Sequence, residues 1–156
     1  MNPRFAPICL AILTLAAFPA LAAVTVSFPS GYYTDIGRPG SVDADNAKRN
    51  IARILESLDA RYLAPGDKLA VDVIDVDLAG DRIYSGAREF RVAKGKSDFP
   101  RFVLRCRLER DGKVSAGEDT VDEVNYLQSM SKLGSAESMY HEKLLLENWF
   151  KARFAR

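Results

Sequence analysis

Histidine and cysteine are almost missing from this chain. One His and two Cys in 156 residues are too few ligands for a zinc finger, an iron–sulfur cluster or a disulfide-stapled scaffold. An excess of one charge is missing as well. The 22 basic and 21 acidic residues leave a formal net charge of +1, which argues against a dedicated nucleic-acid binder and against a polybasic membrane clamp. There is no Walker loop, no dinucleotide-type glycine pattern, no His-Glu-x-x-His and no Cys pair, so no cofactor is expected. What is present is a globular composition, with 47% hydrophobic and 28% charged residues.

The one long apolar run stands at the start. Arg4 and the amino terminus supply positive charge, Ile8 to Phe18 is uncharged, and Pro19 precedes Ala20-Leu21-Ala22. These are the three regions of a secretory signal peptide, here residues 1–22, with cleavage between Ala22 and Ala23. The run is shorter than the ~20 apolar residues of a membrane span. Cys9 opens the run instead of following it, which is the wrong order for a lipoprotein. Export to the periplasm or beyond is the expectation, with no membrane anchor after cleavage and residues 23–156 forming one globular α/β domain. Cys106 is then the only cysteine, and it reads as a small buried hydrophobe.

Val24 to Phe28 alternates with period two and predicts a strand. A Gly- and Tyr-containing loop, 29–41, follows. Over 43–62, Ala47, Ile51, Ile54, Leu55, Leu58 and Tyr62 form one helical stripe, ended by Pro65-Gly66. Lys68 to Leu78 is the strongest strand. Each of its faces mixes apolar and acidic positions, and a bulge near Val73-Ile74 resolves the conflict. Glu89 to Ala93 predicts a short strand. Phe102 to Arg110 predicts a further one, with Phe102, Leu104, Cys106 and Leu108 on one face. Asp111-Gly112 is a type I′ hairpin signal. It pairs Arg110 with Lys113, Arg105 with Glu118 and Cys106 with Gly117. Residues 125–136 read as a polar loop. Ser135 or Ser138 is expected to cap a final helix running to about Phe154, with Leu145, Leu146, Trp149 and Phe150 on the sheet and Lys143, Glu147 and Lys151 as a solvated ladder. The fold expected is α+β, a two-layer sandwich with a mixed sheet of four or five strands and two helices.

Charge is uneven along the chain. Residues 82–113 hold ten basic and four acidic residues, and 114–147 hold two and seven. The hairpin folds part of the basic run onto the acidic one, so mutual pairing accounts for both better than a polyanion site does.

The candidate site follows from topology. A right-handed crossover would make the first two strands parallel, bringing the loop with Tyr32, Tyr33, Asp35 and Arg38 to the strand end with Asp75, Asp77 and Asp81. Open α/β sheets take ligands at such an edge. Asp75 and Asp77 are about 7 Å apart by strand rise, and with Asp81 they could offer oxygen ligands to a divalent ion. The structural alternative is that Arg38 neutralises Asp75 or Asp77 and pins the loop. His141 has no nucleophile motif nearby and reads as a surface or cap residue.

Val24-Thr-Val-Ser-Phe28, Tyr33-Thr-Asp-Ile-Gly-Arg38, Val73-Ile-Asp-Val-Asp-Leu-Ala-Gly80, Gly117-Glu118, Asn125-Tyr126-Leu127 and Glu142-Lys143…Trp149-Phe150 occur in that order. This set resembles the bacterial exported family called domain of unknown function 3016. The resemblance implies a periplasmic protein with no assigned activity, and it carries over no catalytic residue. The functional expectation is a non-enzymatic envelope protein that contacts another protein or a small ligand. A metal-assisted hydrolase using Asp75, Asp77 and Asp81 is the alternative, and self-association through an exposed edge strand is a third reading.

Overall fold

A computed structural model describes residues 22–37, 39–85, 88–92, 97–130 and 139–155. The elements run β1 (Ala23–Ser27), α1 (Val42–Glu56), α2 (Asp59–Tyr62), β2 (Lys68–Asp77), β3 (Asp81–Ser85), β4 (Arg88–Val92), β5 (Arg101–Arg110), β6 (Lys113–Asp122), α3 (Tyr126–Met130) and α4 (Tyr140–Phe154). The fold is α+β. One mixed sheet has the order β1-β2-β5-β6, and β3-β4 form a separate two-stranded ribbon. β1 and β2 are parallel, as the crossover requires, while β2-β5 and β5-β6 are antiparallel.

Alternation decides which face is buried. Leu69, Val71, Val73 and Val76 of β2 and Phe102, Leu104, Cys106 and Leu108 of β5 are buried. Against them lie Ala47, Ile51 and Leu55 of α1 and Leu145, Leu146, Phe150 and Phe154 of α4, in one hydrophobic cluster. The opposite sheet face carries the polar partners, such as Asp72, Arg105 and Glu118. The register of β2 on β5 slips between Val73 and Asp75. That bulge keeps Val76 in the core while Asp75 and Asp77 stay only partly buried. Both residues of the hairpin turn are left-handed, Asp111 at φ 52° and Gly112 at φ 71°, and the β5-β6 register sets Arg110 against Lys113 and Cys106 against Gly117.

Three expectations change, and a fourth falls outside the described residues. The stripe over 43–62 is two helices, because the chain turns at Ser57. The Ser57 N–H bonds Arg53 O at 3.0 Å and its hydroxyl bonds Ile54 O at 2.7 Å, yet Leu58 stays in the core. The strand expected at Glu89 is present as Arg88–Val92, but it pairs with Asp81–Ser85 in a ribbon outside the main sheet. Part of the expected loop, Tyr126–Met130, is helical, and Tyr126 is buried. Ser135 and Ser138 lie outside the described residues, and Met139 at φ 62° stands before α4.

The outer face of α4 is also less solvated than expected. Glu147 accepts from the Tyr62 hydroxyl at 2.9 Å and pairs with Arg61 at 2.6 Å, so it ties α4 to α2, and these partners hold its carboxyl below the usual range. Trp149 is half-buried and donates its indole N–H to Asp119 Oδ2 at 3.2 Å.

One end of the sheet closes on Asp67, which is 2% exposed. Its Oδ2 accepts from Ala64 N at 2.9 Å and from Arg110 Nε and Nη2 at 2.9 and 2.7 Å. The Arg110 Nη2 also bonds Phe154 O at 2.9 Å, and Ala23 N bonds Asp67 O at 3.0 Å. The starts of β1 and β2, the end of β5 and the end of α4 therefore share one node. Arg110→Ala leaves a buried carboxylate without its cation, and should cost about 3 kcal/mol in urea unfolding. A loss under about 1 kcal/mol, the size of a surface pair, would show that the node is not needed.

Candidate functional site

The other end of β2 is where the sequence placed its candidate site. β1 leaves the ladder at Ser27, opposite Asp72, and the chain rejoins β2 through a parallel bridge between Asp35 and Asp77. The loop side advances eight residues while β2 advances five, so the chain must bow outward. Hydrogen bonds fix the bow along its length. Ser27 Oγ bonds Asp72 Oδ1 at 2.7 Å, Ser30 Oγ bonds Ile74 O at 2.6 Å, and Asp35 N bonds Val76 O at 2.9 Å. Thr34 donates its N–H to Asp75 Oδ1 at 2.7 Å and its hydroxyl to Asp75 Oδ2 at 2.6 Å. Both oxygens of Asp75 are thus engaged by one threonine.

Asp35 has a different task. Its carboxylate pairs with Arg82 of β3 and with Arg91 of β4, the latter at 2.8 Å. Arg91 also reaches Gly80 O at 2.7 Å, Leu78 O at 3.2 Å and Asp35 O at 3.3 Å. One guanidinium therefore satisfies carbonyls that the end of β2 leaves without a ladder. Gly80, at φ 88°, makes the turn into the ribbon, and a Cβ there would sit 3.2 Å from Val92 O. From the helix layer, the buried Glu142 accepts from Ala79 N at 3.0 Å.

Of the residues predicted from sequence, Asp35, Asp75 and Asp77 do come together, so the two loops meet. Tyr33 packs edge-on against Phe28 with ring centroids 6.3 Å apart, and Lys48 Nζ lies 4.9 Å from the Tyr33 centroid. Burial, with a smaller contribution from the charge of Asp75, pushes the Tyr33 hydroxyl up. Tyr32 is the exception in this loop, 84% exposed. Asp81 is exposed on the ribbon, opposite Val92. Arg38 lies outside the described residues. Arg38 was expected to neutralise Asp75 or Asp77; Arg82 and Arg91 pair with Asp35 instead, and Asp75 is held by Thr34.

Asp77 is the remaining carboxylate. Burial pushes its carboxyl above the usual range, and the charges of Asp35, Asp75 and Asp98 add to the push, with Arg101 opposing it. Asp98 was not visible as a site residue in the sequence. Its Oδ2 is buried without a hydrogen-bond partner. Among the described residues no group of three His, Cys, Asp or Glu is placed to hold a metal ion.

The other residues weighed earlier are packed. His141 stands edge-on to Tyr126 and Tyr140, at 4.8 and 5.5 Å. Burial pushes the Cys106 thiol up to about 12, and its neighbourhood opens only a cavity of about 30 Å³, room for one water. Arg105 and Glu118 form the cross-strand pair read from the hairpin, at 3.0 Å. At the end of β6, Asp122 lies 3.9 Å from Arg101, and just beyond it Asn125 N bonds Glu123.

A family described as protein of unknown function (DUF3016) matches residues 22–152. The chain belongs to this family. The match starts one residue before β1 and ends inside α4, so the DUF3016 unit takes in every element of the sheet and all of the Asp67 node except Phe154. No curated protein and no solved structure matches the chain.

Two outcomes test the site. Asp35→Ala removes the shared anion of Arg82 and Arg91, so amide exchange over 81–92 should accelerate at least tenfold, while β5 keeps its protection. Equal acceleration in both would mean that Asp35 supports the whole fold. For Asp77, a carboxyl raised in the folded state contributes stability that is present below the unfolded pKa and lost as pH rises through the folded one. Asp77→Asn should therefore raise Tm at neutral pH, with the gain shrinking as pH falls below the ordinary Asp range. A gain independent of pH would exclude this cause.

Proposed function

We propose that this DUF3016 protein is exported to the periplasm and acts there by binding another protein or a small ligand, not by turnover. The observation that carries the reading is Tyr32. It is held out at 84% exposure on a bow whose two feet and middle are bonded to β2. An aromatic ring presented on a fixed loop loses little conformational entropy when it docks. The neighbouring carboxylates support the same reading, because Asp75 is engaged by Thr34 and Asp35 by two arginines. Groups engaged in this way are poor proton carriers and poor metal ligands.

Export is supported by the three-part pattern of residues 1–22 and by the start of the family match at residue 22. Ala22 packs at the core's margin, and Ala23 N bonds Asp67 O. Cleavage between them leaves the mature amino group at the head of β1.

The test uses the full chain in a Gram-negative host, fractionated by osmotic shock. The periplasmic fraction should hold a protein whose first residue is Ala23, and a photo-crosslinking residue at position 32 should give one discrete adduct. The same probe at Lys151, exposed on α4, should not give that adduct. An intact amino terminus in the cytosol would overturn export. Identical adduct patterns from the two positions would overturn the contact, and turnover abolished by a single substitution would overturn the binding role.

A further inference from the structure

β6 forms one edge of the sheet, and no described element pairs with its outer side. Its hydrogen-bonding phase follows from the turn. A two-residue type I′ loop closes on a hydrogen-bonded pair, here Arg110 and Lys113. Narrow and wide pairs alternate from there, so the odd-numbered residues of β6 bond β5. Val114, Ala116, Glu118, Thr120 and Asp122 point their N–H and C=O groups outward. All five are exposed. This is a ten-residue template for another strand. β1, the opposite edge, is half as long and carries no charge to choose a partner's direction.

The charge on β6 does choose. Lys113 stands at its start, and Glu118, Asp119 and Asp122 stand toward its end. The acids are already neutralised within the chain, by Arg105, Arg153 and Arg101, so the edge is not a repelling acidic stripe. An antiparallel copy brings the basic start of one strand to the acidic end of the other, whereas a parallel copy sets like on like. A two-fold axis perpendicular to the sheet must pair residues of the same face. Centring it on Glu118 would oppose two glutamates. Centring it on Ala116 sets small side chains at the axis and puts Lys113 across from the partner's Asp119 in a close, non-hydrogen-bonded pair. Asp119 is suited to this, because Trp149 and Arg153 both bond its Oδ2 and neither takes Oδ1.

We propose that the outer edge of β6 binds β6 of a second copy of this chain, antiparallel about Ala116, and so joins two four-stranded sheets into one of eight strands.

Sedimentation of the purified protein at high micromolar concentration should give twice the chain mass. Ala116→Pro is the decisive variant. Its missing N–H faces the free edge, where a proline is tolerated, so it should fold with the parent's far-UV spectrum and sediment as a monomer. Should that variant fail to fold, Lys113→Glu serves instead. It alters only an exposed side chain, and should weaken dimerisation about tenfold or more by facing Glu with Asp. Ala116→Cys should form a covalent dimer under mild oxidation, while Thr25→Cys on β1 should not. A monomer at every concentration overturns the proposal, as does an Ala116→Pro dimer as tight as the parent or a covalent dimer through residue 25.

Discussion

The architecture depends on one register slip in β2. With unbroken alternation, Asp75 and Asp77 would take the parity of Leu69, Val71 and Val73, which are buried at 1% exposure or less. Two carboxylates in that layer would face a desolvation cost of several kcal/mol each. The bulge between Val73 and Asp75 spends one residue to avoid this. It returns Val76 to the core and moves the acids to the margin, where Thr34 and the chain after β1 can reach them. The extra local twist that a bulge brings falls where the strand must leave the sheet for the ribbon.

Once the bulge is in place, each end of β2 has polar groups to satisfy, and the chain does so with different chemistry. At the start, one oxygen of buried Asp67 accepts from both Nε and Nη2 of Arg110, which also takes in the last turn of α4. At the far end, Arg91 and Glu142 satisfy the backbone of residues 78–80 from opposite charges, one donating to carbonyls and one accepting from an amide. Both closures draw on segments remote in sequence. The sheet, the ribbon and α4 are therefore locked by a few charge-assisted contacts around a core that is otherwise aliphatic and aromatic.

How much of this was legible follows from the range of each interaction. The parallel β1-β2 pair, the bulge and the complete β5-β6 register could be read, because strand alternation and the Asp111-Gly112 turn are local signals. The meeting of Asp35 with Asp77 could be read one step further on, as a consequence of a parallel crossover. Of the ribbon, the strand at Glu89 could be read, whereas its partner Asp81–Ser85 and their pairing outside the main sheet could not. Nor could the partners of Asp35. Nothing near Arg82 or Arg91 in the chain points to residue 35. Glu142 and Asp98 gave no signal of burial, because the sequence marks a charged residue as solvated until its partner is known. Glu147 misled for the same reason. Its spacing is that of an exposed ladder, and only the fold brings Tyr62 to it.

The acids that suggested a metal or catalytic centre are better explained as the scaffold of a loop. A bow of eight residues over a span of five would ordinarily be free to collapse or splay. Here Asp72 and Asp75 hold Ser27 and Thr34, Ile74 O holds Ser30, and Asp35 is drawn back to the strand while its own charge is fixed by two arginines. Tyr33 turns inward onto Phe28 under Lys48. With Ser30 and Tyr33 committed on either side, Tyr32 is left as the outward aromatic residue of the bow. The carboxylates, the aromatic pair and the exposed ring then form one device, in which acidic groups determine where an aromatic side chain is presented.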